Sequence, residues 1–183
     1  TGTLLSASAF MTISGKSPLT GILGDSAAGG FFGPELKLAG YDQVVIIGRS
    51  HKPCYLYIAD DQVEIRDAAL LWGKTTDQTQ AAILSEIEGK KPKVAVIGPA
   101  GESQIPFALV LTDHGRVAGR TGMGAVMGAK NLKAVAVRGN GKVPTVEDRF
   151  PQLRAGINRA LRADTFSNAA RELGTAAVAD YAD

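Results

Sequence analysis

The chain has 22 glycines in 183 residues, and their uneven spread constrains its fold more than any other feature. Seven lie between Ser17 and Gly48, and another seven between Gly98 and Gly128. Glycine takes positive φ and lets a backbone or ligand approach closely. Each stretch runs from a glycine-rich loop to a short helical piece (34–38; 125–131) and then to an apolar strand (43–47; 133–137). Each strand ends in a glycine–arginine pair, Gly48-Arg49 and Arg138-Gly139. Two copies of a loop–helix–strand unit predict a duplicated scaffold with a roughly symmetric ligand between them. On loop glycines alone, two ordinary turns remain an equal alternative.

The second stretch also carries charge. In GRVAGRTGMGAVMGAKNLKAVAVRG, residues 115–139, Arg116 and Arg120 enter a run containing Gly119, Gly122, Gly124 and Gly128. Guanidinium forks match phosphate oxygens, and neighbouring glycines let the backbone close around an anion. The pattern predicts a rigid site for a large phosphate-bearing cofactor. Four residues apart, the two arginines share a face if helical and can converge on one anion if looped.

Composition sets limits around this site. With 45% hydrophobic and 21% charged residues, the chain is a globular one able to bury a core. A net charge of +2 is too small to argue for nucleic acid or a membrane surface. No apolar run approaches the ~18 residues that would span a bilayer. The chain lacks an initiator Met and opens on Thr1-Gly2-Thr3, so it reads as a fragment of a longer protein. One cysteine, Cys54, excludes an internal disulfide and any multi-cysteine metal site within this stretch. It reads as a small buried residue and is compatible with a cytoplasmic setting.

Along the chain, residues 4–14 are extended and apolar, 43–47 form a buried strand, and 54–58 pair with 62–66 as a hairpin across Asp60-Asp61. Residues 76–88 have helical spacing through Thr79, Ile83 and Ile87; 93–97 and 107–112 are strands. Composition shifts near 141–144. Beyond it Ala, Arg and Leu dominate, and Thr145-Val146-Glu147-Asp148 resembles a capping box entering a helix. The expected organisation is α+β: a β-rich, pseudo-twofold cofactor-binding domain over 1–143, then the beginning of a helical domain over 144–183.

Familiar motifs fit poorly. Gly15-Lys16-Ser17 ends like a P-loop, yet the glycine required five residues earlier is Phe10. Residues 122–128 have dinucleotide-like glycine spacing, but a loop precedes them where a Rossmann unit needs a strand. A nucleotide-binding module there remains a rival from a different class. His51 and His114 lack ligand-spaced partners, and no Ser/His/Asp or Cys/His constellation is present. Reactive groups would therefore lie on a cofactor or elsewhere in a longer protein.

Long strings resemble one family. Residues 1–3, KSPLTG at 16–21, GGFFGPELK at 29–37, AGYD at 39–42, VEIRDA at 63–68, WGK at 72–74, IGPAGE at 97–102 and all of 119–139 resemble the N-terminal domain of the aldehyde ferredoxin oxidoreductase family. Leu173-Gly174-Thr175-Ala176 resembles the entry to that family's helical part. The resemblance implies a tungsten or molybdenum bis-pyranopterin enzyme that oxidises aldehydes to acids. Electrons would leave through a 4Fe–4S cluster, held by the rest of the protein, toward ferredoxin. A reductase such as a tungsten benzoyl-CoA reductase subunit is the alternative within the family. The resemblance also implies cofactor contacts at Ala27, Gly29, Arg116, Val117, Gly119 and Arg120, with the backbone carbonyls of Ala27 and Val117 on a magnesium ion between the pterin phosphates. Ala27 stands where several relatives have Asn, and Val117 where they have Ala. Phe10 stands about where relatives often carry an Arg between pterin and cluster. No catalytic residue is expected within the chain. Implied partners are the remaining helical domains, ferredoxin or another acceptor, and a small aldehyde; homo-oligomerisation is left open.

Overall fold

The computed structural model describes residues 1–3, 5, 6, 8–113, 115–145 and 148–181. It divides into two compact units, Thr1–Gly2 with Ala9–Val143, and Thr3–Ser8 with Pro144–Asp183.

The first unit opens with an antiparallel hairpin, β1 (Met11–Lys16) and β2 (Leu23–Ala28), in register from Met11 opposite Ala28 to Lys16 opposite Leu23. Helix α1 (Phe32–Leu38) follows. Then come β3 (Cys54–Ala59), β4 (Gln62–Asp67), α2 (Thr76–Glu86), β5 (Lys93–Val96), α3 (Pro99–Glu102), β6 (Val110–Thr112), β7 (Arg116–Ala118), α4 (Met123–Ala129) and β8 (Leu132–Arg138). Six of these strands form one sheet in the order β4-β3-β8-β5-β6-β7. Only the β3–β8 pair is parallel; every other ladder is antiparallel.

Strand β8 is central because its sequence, LKAVAVR, lets both faces be covered. Six of its seven residues are buried, as expected for a strand sandwiched between layers. Val135 and Val137 join the core formed with α1, α4 and the β1–β2 hairpin, while Ala134 and Ala136 face the core under α2. A register shift sets Cys54 opposite Leu132 but Tyr55 opposite Ala134, so Lys133 is the extra residue of a bulge. The bulge puts Leu132 on the same face as Val135 and Val137. The side chain of Lys133 is fully buried, and its Nζ pairs with the Glu102 carboxylate and donates to the Lys74 carbonyl at 2.8 Å. Glu102 in turn accepts from the Gly73 N–H at 2.8 Å. This closed network satisfies a charge that would be very costly if buried alone.

Helix α2 covers the other face. Thr75 and Gln78 form a reciprocal capping box at its start, and Thr79, Ile83 and Ile87 are at most 4% exposed. Thus the spacing read from the sequence is the buried stripe. The strand expected over 107–112 is shorter, starting at Val110, and Phe107 is exposed. The extended segment expected from residue 4 becomes a strand only at Met11; Leu4 and Ala7 lie outside the described residues.

One expectation fails outright. Residues 43–47 are not a buried strand: Val45 is 71% and Ile47 86% exposed. Among the described residues, none of their backbone groups pairs with another backbone group. Four successive β-branched residues carry a strong strand signal, but a strand also needs a ladder partner. One glycine-rich stretch therefore leads to the central strand and the other to an unpaired segment. The fold is a mixed α/β sheet with helices, and the expected pseudo-twofold duplication is not confirmed.

In the second unit, Arg149 occupies the N-cap position of α5 (Phe150–Ala163) without a side-chain cap bond, Asp164 caps α6 (Thr165–Leu173) through the Ser167 N–H, and a 3₁₀ helix covers Gly174–Tyr181. Leu153, Ile157 and Leu161 form a half-exposed apolar stripe on α5. Ser6 Oγ donates to Asn158 Oδ1 at 2.7 Å. The capping box expected at 145–148 includes Val146 and Glu147, which lie outside the described residues; the helix itself begins at Phe150.

Candidate functional site

The residues expected at a cofactor lie on two neighbouring elements, the end of β2 with its following turn and β7 with the loop after it. Strand β2 alternates, so Ser26 and Ala28 point into the protein and Ala27 points out. Gly29 and Gly30 then turn the chain into α1, with Gly30 at φ +113. On β7, Arg116 and Val117 are exposed while Ala118 is fully buried. Gly119 and Arg120 are exposed beyond it.

Two hydrogen-bond ties join these elements. Ser26, 3% exposed, accepts the Arg120 N–H on its Oγ at 3.0 Å. Asp113, in the β6–β7 turn, accepts the Phe31 N–H at 2.5 Å and the Phe32 N–H at 3.2 Å. Helix α1 thus receives its N-terminal cap from a residue over 80 positions away rather than from its own sequence. Gly30 permits this contact: a Cβ there would lie 2.5 Å from Asp113 Oδ2 and 3.0 Å from Arg116 Cγ.

The surface between the ties has the character of a cradle. An added Cβ at Gly29 would meet nothing within 4 Å, and at Gly119 only Val117 Cγ2 at 3.8 Å. Neither glycine has a positive φ. No turn geometry therefore demands glycine at either place, whereas close approach by a ligand would. Among the described residues, neither the Arg116 nor the Arg120 guanidinium has a hydrogen-bond or ion-pair partner. Two unpaired forks beside open backbone fit a phosphate-bearing group. The donor set is cationic and backbone-rich. Among the described residues there is also no group of three or more His, Cys, Asp or Glu side chains able to hold a metal ion.

The glycines at 122–128 have a different role. A Cβ at Gly122 would lie 2.0 Å from the Pro106 carbonyl oxygen, at Gly124 2.3 Å from that of Leu109, and at Gly128 1.8 Å from that of Gly101. The close approaches these glycines allow are taken by the protein's own backbone, as α4 packs on α3 and the 106–109 loop. That leaves no space for a nucleotide phosphate. Thr121 at φ +63 and Gly122 at φ +74 turn the chain sharply from the Arg120 loop into α4.

Of the other singled-out residues, Phe10 stands at the Ala28–Gly29 end of the hairpin and the rest lie elsewhere. Phe10, just before β1, is 64% exposed. Cys54 on β3 is half-buried against the first core, and His51 is exposed; His114 lies outside the described residues. Asp60 holds the hairpin tip at φ +52 and binds the Asn140 backbone and side chain at 2.7 and 2.9 Å. Those hydrogen bonds hold its carboxyl below the usual range. The sequence reasoning missed Ser26 and Asp113. The alternation of β2 could have marked Ser26 as the one polar side chain turned inward. For Asp113, the only signal was a turn aspartate three residues before a singled-out arginine.

Residues 1–139 match the model of the aldehyde ferredoxin oxidoreductase N-terminal domain. The chain is 52% identical over 132 residues to a tungsten-containing aldehyde ferredoxin oxidoreductase of Pyrococcus furiosus, covering 72% of this chain and 22% of that protein. It is 39% identical over 150 residues to the WOR-like subunit of an aliphatic sulfonate oxidoreductase from the same organism, covering 75% and 24% respectively. Among solved structures, the active-site complex BamBC of benzoyl coenzyme A reductase, in complex with 1,5-dienoyl-CoA, matches with TM-score 0.84 and 38% identity, over 88% of this chain and 25% of that one. The chain thus spans about a fifth to a quarter of the length of these relatives. With a matched stretch that includes both β2 and β7, this chain belongs to the aldehyde ferredoxin oxidoreductase family through its N-terminal domain.

Proposed function

We propose that the chain forms one wall of the pterin–metal site of a tungsten- or molybdenum-dependent oxidoreductase. The carrying observation is the pair Arg116 and Arg120, whose guanidiniums have no partner among the described residues, beside open backbone at Gly29 and Gly119. In this reading the guanidiniums hold pterin phosphate oxygens by charge-assisted hydrogen bonds, and the two glycines admit the cofactor against the main chain. The backbone carbonyls of Ala27 and Val117 would hold a magnesium ion that neutralises phosphate charge; backbone ligands tolerate the replacement of Asn and Ala at these positions. When bound, the cofactor supplies two-electron redox chemistry and polarises the substrate. This chain's residues contribute binding, orientation and positive charge, and none acts as acid or base. The 4Fe–4S cluster and the substrate channel belong to the rest of the polypeptide. Residues 1–143 act as the cofactor-binding domain, and 144–183 begin the helical part.

The proposed reaction is RCHO + H2O → RCOOH + 2e⁻ + 2H⁺, with electrons passed to ferredoxin in the cytoplasm. A second reading, reduction of an aromatic acyl-CoA, draws support from the fold similarity to the benzoyl coenzyme A reductase complex. Full-length protein purified anaerobically should contain tungsten or molybdenum together with pterin. It should then reduce a viologen with aldehydes, while activity confined to dienoyl-CoA oxidation would favour the second reading. Protein free of both metal and pterin after anaerobic expression with both metals supplied would refute each.

A further inference from the structure

Neither guanidinium in the cradle is oriented by a hydrogen bond of its own among the described residues, so the stems and the turns beneath must set their positions. At Arg116 that support is specific. Arg116 Cγ and Asp113 Oδ2 both lie against Gly30, at 3.0 and 2.5 Å from where its Cβ would be. The same Asp113 oxygen accepts the Phe31 and Phe32 N–H groups. A single carboxylate therefore fastens the β6–β7 turn, just before Arg116 on β7, to the start of α1 that directly follows the Gly29–Gly30 turn. Asp113 itself sits at φ +49, a left-handed conformation that aspartate tolerates better than most residues. The second tie, Ser26 to the Arg120 N–H, holds the loop beyond the other end of β7. Without Asp113 the structure would keep that tie and lose the one beside Arg116.

We infer that Asp113 is a positioning residue of the cofactor cradle: it holds Arg116 and the Gly29–Gly30 turn at the spacing that one phosphate-bearing ligand spans. This inference rests on the cofactor reading of that surface. It does not place Asp113 on the cofactor; a carboxylate beside phosphate would repel it, and its oxygen is already occupied by two N–H donors.

The test is a double-mutant cycle in full-length anaerobic protein: wild type, Asp113→Ala, Arg116→Ala and the double variant. The readout is the rate at which tungsten or molybdenum and pterin are released in mild urea, below the unfolding transition. Asp113→Ala should speed release about tenfold or more, the scale of one lost charge-assisted hydrogen bond. In the Arg116→Ala background it should add no more than about twofold, because residues acting through one contact are non-additive. A variant with the neutral acceptor, Asp113→Asn, should recover most of the loss. Wild-type release from loaded Asp113→Ala, or an equal acceleration with and without Arg116, would overturn the inference while leaving the cofactor reading intact. Wild-type protein without metal and pterin would overturn both. If Asp113→Ala does not accumulate, the same cycle with Asp113→Asn decides: about threefold faster release only where Arg116 is present supports the inference, and an unchanged rate refutes it.

Discussion

Two kinds of glycine in this protein should respond oppositely to an added side chain. At Gly29 the backbone has an ordinary φ and open space beyond. Gly29→Val should cost the apo fold no more than about 0.5 kcal/mol, as at other unconstrained surface positions. It should nevertheless block close approach of the cofactor and leave the protein largely unloaded. At Gly128 the added Cβ lies 1.8 Å from the Gly101 oxygen, and real Cβ atoms essentially never come within 3.0 Å, so α3 and α4 must separate by more than 1 Å. Overpacking of this kind costs about 1–3 kcal/mol, only partly offset by the better helix propensity of Ala, about 1 kcal/mol. Hydrogen exchange in α4 reads that cost locally, which matters in a chain of two compact units. Because the clash is with backbone rather than a flexible side chain, the overpacking cost falls at the upper end of its range, about 2–3 kcal/mol. The net loss of about 1–2 kcal/mol makes exchange about 5- to 30-fold faster. Gly128→Ala should therefore loosen α4, and Gly29→Val should leave exchange unchanged while metal and pterin content falls. Full cofactor loading in Gly29→Val would refute the cradle. Unchanged exchange in Gly128→Ala would refute the packing argument.

Further outcomes follow from charge. Arg116→Ala with Arg120→Ala should lower metal and pterin content by more than tenfold with far-UV circular dichroism retained, since each charge-assisted bond contributes about 1.5–3 kcal/mol; full occupancy would remove both residues from the site. Lys133→Ala should strand the nearly buried Glu102 carboxylate and cost about 3–5 kcal/mol, read as faster exchange along β8; a change below about twofold would mean that water already reaches the pair. Asp60 has a folded pKa below its ordinary 3.8, so its contribution is present above that value and is lost as pH falls through the folded one. Its carboxyl resonance should titrate below pH 3.8, and in Asn140→Ala it should move back up; a wild-type midpoint at or above the ordinary value would contradict the Asn140 contact.

Much of this was legible in local sequence. The α2 stripe, the β3–β4 hairpin and the central strand after α4 follow from periodicity and turn chemistry, while the short helix expected over 125–131 runs two residues earlier, over Met123–Ala129. The arginine–glycine cluster likewise pointed to the surface where β7 lies. Residues 43–47 misled because four β-branched residues signal a strand whether or not a ladder partner exists. The bulge at Lys133 was hidden because a two-for-one register shift depends on the partner strand. Asp113 and Ser26 were missed for a related reason: each bonds a backbone group over 80 residues away. A long-range cap leaves no periodic trace.

The unpaired run at 44–47 also bears on how the molecule must be handled. An open row of main-chain donors and acceptors under Val45, Ile46 and Ile47 is a template on which another extended chain can grow. Arg49 flanks it as a gatekeeper, a charge that repels its own kind on stacking in register, while Asp42 at the other end is paired with Lys37. That protection is electrostatic, so it weakens as added salt shortens the screening length to ~3 Å near 1 M. Concentrated salt, commonly used to keep proteins apart from one another's charges, should therefore thicken solutions of this chain rather than clear them.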